Sequence, residues 1–98
     1  FHDDLAQDEL VYPHLVRATD IDMGRHMNNV VYIRLLLDCF SAKELASGMI
    51  RTIEAHYASP CLEGETLGVF CRREEGRCRM AVKHADGRPA VLAQVIFG

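Results

Sequence analysis

A chain of 98 residues, 49% of them hydrophobic, makes one domain with material for a single packed core, and this composition argues against a disordered chain. Its formal net charge of −3 gives no electrostatic support for nucleic acid or an anionic membrane surface as a partner. No run approaches the roughly 18 consecutive apolar residues of a membrane span, and the N-terminus carries no signal-peptide pattern.

Residues 1–9 carry four acidic side chains, Asp3, Asp4, Asp8 and Glu9, and no initiator Met. They read as a linker or leader ahead of one domain over residues 10–98. Residues 10–18 form a strand candidate. Pro13 cannot donate a ladder hydrogen bond, so this strand belongs at a sheet edge. A polar loop over residues 19–27 follows. From Asn28 or Asn29, either a good N-cap, a helix should run to about Phe40. Apolar side chains fall on nearly every face of it, which marks a core helix that something must wrap. Residues 41–47 are a polar connection with room for one helical turn.

After Gly48 the period changes from helical to alternating. Met49, Arg51, Ile53, Ala55 and Tyr57 share one face of a strand; Ile50, Thr52, Glu54 and His56 share the other. A turn over residues 59–65 leads into a strand over 66–73, and Glu74-Glu75-Gly76 makes a tight hairpin. The next strand sets Cys78, Met80, Val82 and His84 against Arg77, Arg79, Ala81 and Lys83. Asp86-Gly87 is the turn pair of a second hairpin, and residues 90–97 complete the sheet. The order β–α–β–β–β–β, with one apolar helix, predicts an α+β fold: a curved antiparallel sheet wrapped around the helix, the hotdog architecture.

The densest chemistry lies at residues 20–29, Asp-Ile-Asp-Met-Gly-Arg-His-Met-Asn-Asn. Two carboxylates and an imidazole crowd a loop that opens into the apolar helix. Backbone N–H groups and the positive dipole end at a helix N-terminus hold anions or polarise a carbonyl. Such a loop suits attack of an activated water on a polarised carbonyl. Asp22 is the candidate to orient or deprotonate the water, and His26 to donate to the carbonyl or share the base role. Asn28 and Asn29 are candidates for holding the substrate at the helix start. The competing reading gives Asp20, Asp22 and Asn28 only turn and cap hydrogen bonds. A divalent metal on Asp20, Asp22 and His26 is a weak alternative, so no metal and no other cofactor is expected. The four cysteines, Cys39, Cys61, Cys71 and Cys78, lack paired metal-ligand spacing and read as reduced thiols of a cytoplasmic protein. Cys61 is better read as an ordinary strand-end cysteine than as a nucleophile. Between Arg72 and Arg88 six basic residues outnumber three acidic ones. Arg72, Arg73, Arg77 and Arg79 therefore form a candidate docking surface for an acidic partner, against the alternative of a solvated strand face.

Asp-Ile-Asp-x-x-x-His-Met-Asn-Asn-Val-Val-Tyr-Ile, followed by Leu-Leu-Leu-Asp, resembles the acyl-acyl-carrier-protein thioesterases of plants and bacteria, in their C-terminal hotdog domain. The stretch from Tyr57 through Leu62 to Gly64-Glu65-Thr66-Leu67 also fits that family's tyrosine-to-Gly-Asp turn, with Glu in place of Asp. The resemblance implies a tandem of two hotdog domains with catalysis in the second, a catalytic aspartate at Asp22 and histidine at His26, and a site cysteine at Cys61. The family's asparagine falls on Gly24 and its glutamate on Pro60, so two polar positions are missing. The expected activity is hydrolysis of a fatty acyl thioester of acyl carrier protein or coenzyme A. The partner is a second hotdog domain, in cis or as a homodimer. Two alternatives remain open: a non-catalytic half that binds acyl chains or stabilises a partner domain, and a stand-alone acyl-coenzyme A thioesterase dimer.

Overall fold

The computed structural model describes residues 2–98. Strands β1 (Leu10–Leu15), β2 (Ile50–Tyr57), β3 (Thr66–Glu74), β4 (Arg77–Lys83) and β5 (Pro89–Phe97) form one sheet in the order β1-β3-β4-β5-β2, with every pair antiparallel. Helix α1 (Asn29–Leu37) packs on its inner face, and a single turn of helix α2 (Ala42–Ala46) follows. This is the expected hotdog arrangement. Among the described residues no helix is long and apolar enough to cross a membrane.

Pro13 lies opposite Gly68 on the edge strand β1, where its missing N–H costs no ladder bond. The strand stops at Leu15, three residues earlier than its apolar pattern suggests, because the chain turns into a 3₁₀ turn at Ala18–Asp20. The β3–β4 and β4–β5 hairpins fall where their glycines require. Gly76 and Gly87 both adopt positive φ, 77° and 90°, which a side chain would oppose.

The core sits between α1 and the inner face of the sheet. Val31, Tyr32, Leu35 and Leu36 are buried against Leu67, Val69, Cys78, Met80, Val82, Val91 and Val95. Each such large apolar side chain contributes roughly 1.5–3 kcal/mol through burial. The alternation read in β4 holds: Cys78, Met80 and Val82 face the helix, while Ala81 faces outward with Phe70 and Leu92. In β2 a bulge between Ile50 and Thr52 breaks the alternation. Ile50 thereby joins Ile53 and Ala55 against the core rather than opposing them.

Two expectations need correction. Helix α1 ends at Leu37 rather than Phe40, its last turn closing with bonds from Cys39 N to Leu36 O and Phe40 N to Leu37 O. Nor is it wrapped on all sides. Within this chain one stripe is covered, while Val30 is 73% exposed and Ile33 and Leu37 are half-buried. The sheet is a single layer and shields only the side it faces.

The acidic N-terminal stretch packs on the outer face. Leu5 is buried beside Phe70, Ala81 and Leu92. Lys83 donates to the Leu5 carbonyl at 2.8 Å and pairs with Asp3 at 2.9 Å. Arg72 bonds Glu9 at 2.7 Å and Asp4 at 3.1 Å. Phe1 lies outside the described residues.

Candidate active site

The loop ahead of α1 is a miniature antiparallel pair. Ile21 and Met27 form an isolated bridge, and the Asp22 amide donates to the His26 carbonyl at 3.1 Å. This brings Asp22 and His26, the next residues toward the tip, to the same cleft. Arg25 closes the tip in the left-handed region (φ 65°), its amide bonded to Asp22 O at 3.0 Å. The Asp22 carboxylate accepts the Gly24 amide at 2.8 Å. A Cβ at Gly24 would stand 3.2 Å from that same Asp22 oxygen, so glycine leaves the carboxylate room in this turn.

Asp20, two residues earlier, points the other way. Its buried carboxylate takes His14 Nε2 at 2.8 Å, the Arg17 amide at 3.1 Å and Arg34 at 3.4 Å. Burial alone raises this carboxyl, but the Arg17 amide, His14 and Arg34 outweigh it and hold the carboxyl below its ordinary range. Asp20 is a structural anchor. Facing His14 and Arg34, it is not available for a metal shared with Asp22 and His26.

Asn28 caps α1, its side chain accepting the Val30 amide at 2.8 Å. This consumes one N–H that the sequence reading offered to a substrate. Asn28 N in turn bonds Asp20 O at 2.9 Å, which locks the helix start to the anchor. Asn29, the first helical residue, faces an open cleft of about 330 Å³ together with Asp22, His26, Tyr57, Ser59 and Pro60.

The far wall of that cleft is held by Cys61. Its carbonyl accepts Met27 N at 3.0 Å, and its amide donates to the Tyr32 hydroxyl at 3.1 Å. Tyr32 also meets Tyr57 edge-on, ring centres 5.7 Å apart. The Cys61 side chain is buried and is not among the residues lining the cleft. Burial pushes its thiol above the ordinary cysteine value, which disfavours a thiolate. Its part here is played by its backbone.

The structure therefore gathers Asp22, His26 and Asn29 at one cleft and leaves Asn28 and Cys61 as its scaffold. Four residues of this region that sequence reasoning gave no functional part are Tyr32, Ser59, Glu65 and His84. Ser59 Oγ lies 2.7 Å from His84 Nε2, and His84 Nδ1 lies 2.6 Å from Glu65 Oε1. The legible signal was a histidine at the end of the apolar face of β4. Cys61, Glu65 and His84 also lie close enough together to hold a metal ion, but both ring nitrogens of His84 are already engaged. A larger hollow, about 590 Å³, lies elsewhere, on the outer face around Leu5, Glu54, Arg77 and Arg79. No nucleophile and base meet there.

The basic hairpin is compensated from within the chain. Arg72 pairs with Asp4 and Glu9, Arg73 with Glu44 at 2.6 Å, and Arg77 with Glu74 at 2.8 Å. Arg79 donates to the His2 carbonyl at 3.2 Å and approaches Asp4 at 3.8 Å. The local positive excess seen in sequence is balanced by Asp3, Asp4, Glu9 and Glu44, which arrive from distant positions.

A polar loop at the start of a buried helix, set on a hotdog sheet, agrees with the family comparison. The acyl-ACP thioesterase C-terminal domain model matches residues 4–96. The chain belongs to that family. No curated protein sequence matches it. Among solved structures, an acyl-ACP thioesterase from Bacteroides thetaiotaomicron superposes with TM-score 0.87 at 25% identity, over 100% of this chain and 41% of that one. The 12:0-ACP thioesterase from Umbellularia californica gives 0.81 at 17% identity, over 100% and 39%. A Thermus thermophilus thioesterase complexed with coenzyme A and Zn gives 0.67 at 23% identity, over 88% and 79%. The chain thus spans about two fifths of the length of the two acyl-ACP thioesterases.

Proposed function

We propose that this domain hydrolyses fatty acyl thioesters of acyl carrier protein, releasing free fatty acid, with Asp22 and His26 at the reacting centre. The observation that carries this reading is that Asp22 and His26 line one cleft together with Asn29, the first residue of α1. Asp22 orients and deprotonates water; His26 and the positive end of α1 stabilise charge developing on the thioester oxygen. Coenzyme A is the alternative thiol.

A second hotdog unit, in cis or from another copy, completes the site in this reading. The open edges of β1 and β2 and the uncovered Val30, Ile33 and Leu37 support it, since an apolar helix stripe and bare sheet edges favour a partner. This makes residues 10–98 one hotdog of a pair. A cytoplasmic location agrees with four unpaired cysteines.

Gly24 and Pro60 favour the competing reading of a non-catalytic half, because neither offers a side-chain donor or base to the cleft. Release of fatty acid from purified acyl carrier protein and acyl-coenzyme A, by this chain alone and with a partner domain, separates the two. Turnover of neither substrate under either condition leaves the binding role.

A further inference from the structure

One wall of the cleft holds a chain of side chains that the Asp22–His26 mechanism does not use. Ser59, in the β2–β3 loop, faces the cleft and places Oγ 2.7 Å from His84 Nε2. His84, just past β4, is only 4% exposed in its side chain and sets Nδ1 2.6 Å from Glu65 Oε1. Backbone bonds fix each member. His84 N donates to Arg88 O at 2.9 Å, Ser59 N to Ala90 O at 3.3 Å, and Glu65 N to Leu62 O at 3.2 Å. We propose that Ser59 is the acyl-accepting nucleophile of this cleft, with His84 as its base and Glu65 as the positioning carboxylate.

The geometry meets the three demands of such a relay: a nucleophile bonded to a base, a base bonded to an orienting acid, and a nucleophile open to substrate. An ionised carboxylate only accepts hydrogen bonds, so Glu65 keeps the ring proton on Nδ1 and leaves Nε2 to receive the serine proton. Glu65 stays ionised. Its burial pushes the carboxyl up, but His84, the Leu62 amide and Arg88 together hold it below the usual range. The serine hydroxyl has a second acceptor, Pro89 O at 2.9 Å. With His84 neutral, the hydroxyl turns to Nε2. With His84 protonated, Nε2–H donates to Oγ and the hydroxyl turns to Pro89, so both protonation states keep their bonds.

The step deepens the thioesterase reading and rests on it for the substrate. Ser59 Oγ bonds to the thioester carbonyl carbon and its proton passes to His84 Nε2. The carbon–sulfur bond then breaks and the thiol leaves carrying that proton. Water next gives its proton to Asp22 and attacks the serine ester, and the displaced Ser59 Oγ recovers that proton as the fatty acid departs. Asp22 and His26, on the opposite loop, orient that water. Asn29 and the start of α1 face the developing oxyanion.

The test uses a fluorophosphonate probe, which labels an activated serine without needing a thioester, read by intact mass and peptide mapping. A parallel assay follows release of fatty acid from a medium-chain acyl-coenzyme A. Stoichiometric label on Ser59 is expected, absent in Ser59→Ala and slowed about 100-fold in His84→Gln, with Ser59→Ala lowering thioester turnover at least 100-fold. Glu65→Gln should slow the labelling step about 10-fold without weakening probe binding, and Glu65→Asp should recover most of that rate. A merely structural Glu65 would leave the labelling rate of a folded Glu65→Gln unchanged. Absence of label, with Ser59→Ala turning over thioester at the wild-type rate, overturns the proposal and leaves the Asp22–His26 reading standing. Label on Ser59 without any thioester turnover does the reverse: the nucleophile stands and the substrate class falls.

Discussion

Asp20→Asn removes one charge from a buried site and should disable the domain through its anchor rather than its chemistry. The carboxylate is 7% exposed and takes bonds from His14 at 2.8 Å, the Arg17 amide at 3.1 Å and Arg34 at 3.4 Å. A charge-assisted bond contributes about 1.5–3 kcal/mol net. The Arg34 bond is long and that side chain is 58% exposed, so screening leaves it well under 1 kcal/mol. The carboxamide keeps one acceptor for Arg17, which leaves a loss of about 2 kcal/mol at neutral pH. For a domain of this size that lowers Tm by roughly 8–16 °C. The folded carboxyl lies below its ordinary value of 3.8, so its contribution is complete above that value and is lost as pH falls through the folded one. Urea unfolding of both proteins at pH 7 and near pH 2.5 measures this. The gap should be wide at pH 7 and narrower in acid. A gap below about 0.5 kcal/mol at pH 7, or one as wide in acid, refutes the anchoring role.

Asn28→Ala removes the α1 cap and should cost about 1 kcal/mol in thermal unfolding, while glycine there costs only a few tenths. Equal losses for the two would mean that the cap bond contributes nothing. Cys61 and Cys78 should resist iodoacetamide at pH 8 until urea unfolds the chain. Both are fully buried, and burial pushes the Cys78 thiol up to about 12. Rapid native alkylation of Cys61 would place it back in the cleft. Reversing Arg77 and Arg79 together to Glu should weaken acyl-carrier-protein binding several-fold at low salt and little at high salt. An unchanged Kd at low salt removes this face as a docking surface.

Much of the fold was readable because local rules and tertiary demands agree. Pro13 marked the edge strand, Asp86-Gly87 the hairpin, and the run after Asn28 a helix that must be buried. Where reading failed, a long-range contact decided. The covered stripe of α1 depends on which side the single sheet takes, and Ile50 turns inward through a bulge that no residue pattern announces. The charge balance of the basic hairpin was not legible because the acids that pair with it, Asp3, Asp4, Glu9 and Glu44, are 29 to 80 positions distant in the chain. At the site, Asp22 and His26 were legible as neighbours on one loop. Ser59, Glu65 and His84 come from three separate elements, and only the folded sheet joins them.

The most direct test of the central claim is steady-state hydrolysis of a medium-chain acyl-carrier-protein thioester by the wild-type domain, Asp22→Asn and His26→Ala. Both side chains are exposed on a loop, so both variants should unfold within about 0.5 kcal/mol of wild type. Each should lose 10²–10⁴-fold in kcat, roughly what a general acid or base contributes. Two folded variants that hydrolyse the thioester as fast as wild type would contradict the assignment of this loop as the catalytic centre.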